Sequence, residues 1–271
     1  MLPWFAALMF LNVAAAPAPS QDLAANTENV PPLLFDALGK VARSFDRWAY
    51  TETRVTTTDK GVVKGETVIR FDPSLPYAEQ FRPLKIEGKE PTSRQLKEYR
   101  TRGEKRGERL AKEEEEGKAP GSTIPRFGIN GGTASIDLAH AVVVAESAES
   151  VTFEVPLRND SRATIPVEKF QLLARVGRQQ RAFENVALKV RSPFRLKLVI
   201  KVKTGEASLD FAEVDPRFPP ALTKVTGDGT ASLMFVRLGA SFDLVRTDFK
   251  RVKPYSERFG VKIGPLKALN F

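Results

Sequence analysis

The residues best suited to chemistry are few. His140 is the sole histidine of the 271-residue chain, and Asp137 precedes it by three positions. On a helix that spacing would set both side chains on one face, as a proton-relay pair or as two of the ligands a metal requires. The apolar run Ala141 to Ala145 favours a strand, however, and no second histidine exists to complete a coordination set. No metal site is assigned. The absence of cysteine excludes thiolate centres, disulfides and cysteine nucleophiles. Serines lack the G-x-S-x-G elbow, and nothing pairs the one histidine with any of them as a base.

Glu146, Glu149 and Glu154 lie close enough in sequence to suggest a carboxylate pair for glycoside chemistry. Nothing apolar surrounds them to raise a carboxyl pKa, so they are expected on the surface. Gly128, Gly131 and Gly132 resemble a phosphate loop only in glycine content; without a following Lys-Ser/Thr they predict a turn. The chain is thus expected to be no enzyme, with no catalytic residue and no cofactor.

A formal charge of +9 favours acidic partners. Arg178, Arg181, Arg191, Arg195 and Lys197 come nearest to a basic patch. The N-terminus argues against nucleic acid as its target: Trp4 to Ala16 is an apolar stretch broken only by Asn12, too short to span a bilayer and ending in Ala14, Ala15 and Ala16. Residues 1–16 are predicted to be a signal peptide, 17–29 a flexible leader, and 30–271 one domain. The expected location is the periplasm, with secretion as the alternative, and the expected charged partner is an anionic envelope component such as a lipid phosphate. No later segment approaches transmembrane length.

The elements follow from periodicity. Leu34, Leu38, Val41 and Phe45 make one stripe of a helix opened by Pro31 and Pro32. Strands are predicted over 47–58, 62–71 and 77–86. A charged helix about 92–116, capped by Thr92 or Ser93, carries Leu96, Tyr99, Leu110, Gly103 and Gly107 on one side, as a solvated arm over an edge or end of the sheet. In the second half, Phe194, Leu196, Leu198, Ile200 and Val202 alternate with Arg195, Lys197, Val199, Lys201 and Lys203, which predicts one long strand with a wet face. Thr204 and Gly205 predict a turn into Ala207, Leu209 and Phe211. Gly227, Asp228 and Gly229 predict another, between strands 222–225 and 231–238, and 242–252 closes the series.

The segment RFDPSLPYAEQFRPLKIEGKEPT, from Arg70 to Thr92, resembles bacterial exported proteins of the LolA-like superfamily of lipoprotein carriers, as do RSPFRLKLVIKVK and DFKRVKPYSERF. The resemblance implies a mainly β fold, a strongly curved antiparallel sheet forming an unclosed half barrel with a few helices, one long and charged. It also implies a cavity for acyl chains of lipids or lipoproteins. Phe194, Leu196, Leu198, Ile200, Leu209, Phe211 and Phe242 are the candidate cavity-facing residues, with core filling as the alternative. The expected function is a periplasmic binding or carrier protein for a hydrophobic or lipidic ligand. The second reading is an envelope assembly or scaffold protein that docks through the charged helix.

Overall fold

Strands whose side chains alternate apolar and polar bury one face and wet the other, so they require a sheet with a single covered side. A computed structural model describes residues 29–44, 47–115, 127–129, 132–159, 166–196, 200–233 and 236–257. The predicted signal peptide and nearly all of the leader lie outside them, as do Phe45, Gly131, Lys197 and Leu198.

The described elements run α1 (Pro32–Ser44), β1 (Trp48–Thr58), β2 (Val63–Phe71), β3 (Phe81–Lys85), α2 (Ser93–Glu115), β4 (Phe127–Ile129), β5 (Gly132–Ile136), β6 (Val142–Glu146), β7 (Ser150–Val155), β8 (Leu157–Asn159), β9 (Phe170–Gly177), β10 (Ala182–Val190), β11 (Phe194–Leu196), β12 (Ile200–Ala212), β13 (Ala221–Leu233) and β14 (Val236–Arg251). Eleven strands form one antiparallel sheet in the order β3-β2-β1-β14-β13-β12-β10-β9-β7-β6, with β11 added to β12. Its end strands β3 and β6 do not pair with each other, so the sheet is not closed into a barrel. The class is mainly β, as expected. β4, β5 and β8 make a separate three-stranded sheet.

The registers place one continuous set of residues on one face. Directly opposite residues share a face, so the ladder runs Phe81–Phe71–Tyr50 at one end and Leu244–Val225–Leu209–Val186–Ala174–Phe153 towards the other. Glu52 opposite Arg246 joins the two halves. Where β1 takes two steps from Ala49 to Thr51, β14 takes three from Thr247 to Lys250. This bulge contains Asp248 at φ 52°, a left-handed conformation that Asp tolerates better than most residues. The extra residue brings Phe249 and Arg251 to the face already occupied by Leu244 and Arg246.

Both helices cover that face. Leu34 and Ala37 of α1 are buried against Val151, Phe153, Leu172, Val176 and Leu188. At the other end α2 begins at a reciprocal cap: the Gln95 N–H donates to Thr92 Oγ1 (3.3 Å) and the Thr92 N–H to Gln95 Oε1 (2.8 Å). Buried Gly103 and Gly107 then let the helix rest on the 3-10 turn Tyr77–Glu79. Arg106 donates to Gln80 Oε1 (2.9 Å) and lies over the Phe81 ring.

Four sequence readings are corrected. The strand expected over 77–86 opens with that 3-10 turn, and only Phe81–Lys85 is extended. The strand expected from Phe194 to Val202 is a hairpin in which β11 pairs with the start of β12, Phe194 opposite Val202 and Leu196 opposite Ile200. The reason is an open edge: β10 meets β12 only between Glu206 and Asp210, and β11 supplies hydrogen-bond partners to the segment before it. Thr204 and Gly205 form no turn, because β12 runs through them; one extra residue between Val202 and Thr204 makes a bulge instead. That bulge shifts the parity, so Ile200 and Val202 share the covered face with Ala207 and Leu209. Gly227 and Gly229 likewise lie inside β13, paired with Ala207 and Gly205, and the chain reverses only after Leu233, which is opposite Val236.

Candidate functional site

Between the two helix-covered ends, the sheet face holds a cleft. Its walls are Val41 and Ser44 from the last turn of α1, Trp48 and Tyr50 of β1, Phe211 and Leu222 of β12 and β13, and Arg246 and Phe249 of β14. The cleft measures about 20 Å³, room for one water molecule and too little for an acyl chain.

One side of the cleft is aromatic. The Trp48 ring meets Phe218 and Phe249 edge-on at centroid distances of 5.6 and 6.0 Å, and Tyr50 packs against Phe71 at 5.1 Å. Such pairs add roughly 0.5–1.5 kcal/mol each to what burial contributes. The guanidinium of Arg251 lies over Trp48 (4.9 Å) and Phe218 (4.5 Å), and that of Arg246 over Tyr50 (4.3 Å).

The polar groups are unusual for a sheet interior. Glu52 and Arg246, their side chains 14% and 10% exposed, form an ion pair in which Nε and Nη2 both approach Glu52 Oε2 at 3.1 Å. Arg54 stands 3.6 Å from the other carboxylate oxygen. Burial pushes the Tyr50 hydroxyl up to about 12, against the opposing pull of Arg246. Burial likewise raises Tyr99 of α2, which feels the charges of Arg102, Arg54 and Glu52 and so sits over this part of the face. The Trp48 indole N–H is buried with no hydrogen-bond acceptor.

The residues singled out by sequence are placed differently. Phe194, Ile200 and Leu209 are buried at 7–8% exposure. Phe194 stacks edge-on against Phe170 at 5.3 Å within the α1-covered cluster, and Leu209 packs with Leu222, Val225 and Leu244. Phe242 is half-buried beside that second cluster. Among the described side chains of the set, Phe211 alone lines the cleft. Leu196 is described through its backbone pairing with Ile200, and Leu198 lies outside the described residues.

Asp137 and His140 do meet, Oδ2 to Nδ1 at 3.0 Å, across a 3-10 turn rather than along a strand. Arg158 reaches the same buried carboxylate at 3.3 Å, so the pair anchors β8 to the turn. Among the described residues no group of three His, Cys, Asp or Glu is arranged to hold a metal. Glu146 and Glu154 are engaged by Arg178 and Arg191 and do not face each other across a cleft. Gln171 and Arg191 hold the Glu154 carboxyl below its usual range. Arg181 pairs with Asp36 of α1 (2.5 Å), so three of the five cations proposed as a patch are neutralised locally.

The sequence reading missed Trp48, Tyr50, Arg246 and Phe249. The two-residue spacing of Trp48, Tyr50 and Glu52 already placed a carboxylate on an aromatic face, and that misfit was the available signal. Nothing local marks Glu52 as the partner of Arg246, 194 positions away.

Compared with protein-family models and with curated proteins, the sequence matches none. No helix among the described residues is long and apolar enough to cross a membrane.

Proposed function

We propose that this chain is a non-enzymatic, exported binding or carrier protein that holds a hydrophobic or lipidic ligand on the helix-covered face of its sheet, as its resemblance to LolA-like carriers implies. The observation that carries this reading is the gap between the helices. α1 and α2 are separate covers over one apolar face, and the cleft at the end of α1 is walled by Trp48, Phe211, Leu222 and Phe249. At about 20 Å³ it is closed to a chain, so loading requires α1 to move outward. Beyond its apolar stripe, α1 is tied down at the surface by Asp36 to Arg181 and Lys40 to the Gln180 carbonyl. Exposed contacts of this kind contribute roughly 0–1 kcal/mol each. A hydrophobic ligand that replaces the α1 stripe contact for contact offsets most of the cost of opening.

The packed state of Phe194, Ile200 and Leu209 favours the second reading, a scaffold acting through surface contacts with α2 as its docking arm. Organic extraction of the purified full chain, followed by mass spectrometry, separates the two. A carrier yields a co-purified amphiphile or, once stripped, binds a fluorescent fatty acid saturably. A protein that yields nothing and binds nothing is not a carrier.

A further inference from the structure

The path of the main sheet ends in two strands, β3 and β6, and each leaves a row of backbone N–H and C=O groups without a strand partner among the described residues. A free edge can take up another strand, so edges that must stay alone carry proline, cations or a cover. β3 has all three. Pro83 has no N–H to give, exposed Arg82 and Lys85 flank it, and α2 packs against the strand with Arg106 over Phe81. β6 has none of them. Its residues Val142 to Glu146 are all exposed, the three valines at 54, 53 and 49%. Both edges contain a register shift, so that device does not distinguish them.

Consecutive valines send side chains to both faces of the sheet, and neither face is covered at β6. Val143 is opposite Phe153, which is 3% exposed against α1, so the apolar face runs on past its cover. An uncharged β-branched run exposed on a free edge suits pairing better than it suits water. Its partner must be extended, uncharged at the seam and apolar on both faces. Of the two end strands only β6 meets that description, because β3 would bring Pro83 and two cations to the seam. Antiparallel pairing of two copies about Val143 sets Val143 opposite Val143, Val142 opposite Val144 and Ala141 opposite Ala145, with no charge among them. Glu146, at the end of the strand, is held by Arg178 of its own chain. We infer that β6 is a self-association edge, where a second copy of this chain adds its own β6 and extends the sheet across a twofold axis. One short strand from each copy is less than a standard interface, so the dimer is weak and concentration-dependent. Such pairing leaves the helix-covered cleft untouched, so it holds whether or not the chain carries a ligand.

Sedimentation equilibrium of the full chain, at concentrations up to about 100 μM, tests the edge directly. The average mass is expected to rise with concentration from one chain toward two, and a mass that stays at one chain would overturn the pairing. Salt supplies a second reading on the wild type. Copies with a formal charge of +9 repel, and the seam holds no ion pair, so screening by salt is expected to strengthen the dimer. A dimer that weakens as salt rises would overturn an uncharged seam. Val143→Lys and Val143→Glu each set like charges face to face and are expected to weaken self-association by about tenfold or more, whereas an equimolar mixture of the two variants restores it. Variants that dimerise as the wild type does, or a mixture no tighter than its components, would place the contact elsewhere and overturn the assignment to β6.

Discussion

Replacing Gly103 by alanine sets two effects of opposite sign against each other. In an isolated helix the change stabilises by roughly 1 kcal/mol, because glycine has more backbone freedom to lose. Here the added Cβ would fall on the carbonyl oxygen of Tyr77 and within 2.9 Å of Ala78 Cα. Both obstacles are backbone, so no rotamer change relieves them, and α2 must lift from the turn that carries it. Overpacking of this kind costs about 1–3 kcal/mol, more where the neighbour is rigid. The net expectation for Gly103→Ala is a loss of up to about 2 kcal/mol in urea unfolding, or several degrees in Tm for a chain of this size. Gly107→Ala is the internal comparison. Its Cβ would meet the side chain of Tyr77, with Cδ2 at 2.6 Å, and a ring can turn aside, so the loss is smaller. A Gly103→Ala protein stabilised by the full helix increment would refute the seating of α2 on Tyr77–Glu79.

Other consequences concern the buried polar cluster and the core. Glu52→Ala leaves Arg246 buried beside Tyr50 without its countercharge and is expected to cost about 3–5 kcal/mol, whereas the apolar double replacement Glu52→Leu with Arg246→Met is nearly neutral; equilibrium unfolding of the two variants checks the contrast. Tyr50 is expected to ionise near 12 in an alkaline ultraviolet titration. Since its folded pKa exceeds the unfolded value of about 10, its contribution to stability is complete below that pH and is lost as pH rises from about 10 to about 12. Phe194→Ala removes a ring buried against Phe170 and is expected to cost about 3–5 kcal/mol in the same unfolding assay.

Much of the sheet was legible because alternation is local. Val151, Phe153 and Val155 read as a strand and are buried on one side, and Lys201 and Lys203 face outward in alternation with Ile200 and Val202 as their spacing requires. The helix stripe of Leu34, Leu38 and Val41 was equally plain, and so was the glycine face of α2. What failed was the distinction between a turn and a bulge. Thr204-Gly205 and Gly227-Asp228-Gly229 carry turn residues, yet the first is held extended by β13 and the second by β12 and β14 on either side, a tertiary effect that no window of sequence contains. The cleft was illegible for a related reason. Its walls come from α1 and four strands, brought together by the pairing of β1 with β14, and the parity of β14 changes at Asp248 in mid-strand. Alternation counted through that position places Phe249 and Arg251 on the wrong face.

Tryptophan fluorescence addresses the central claim most directly. The chain has two tryptophans, Trp4 in the predicted signal peptide and Trp48 in the cleft wall, so Trp4→Phe in the full chain leaves Trp48 as sole reporter. Titration with palmitate is expected to shift its emission saturably, in step with displacement of a bound fluorescent fatty acid. Displacement with no change at Trp48 would place the ligand elsewhere and contradict the account, and an emission spectrum unmoved by any amphiphile would contradict binding at this face altogether.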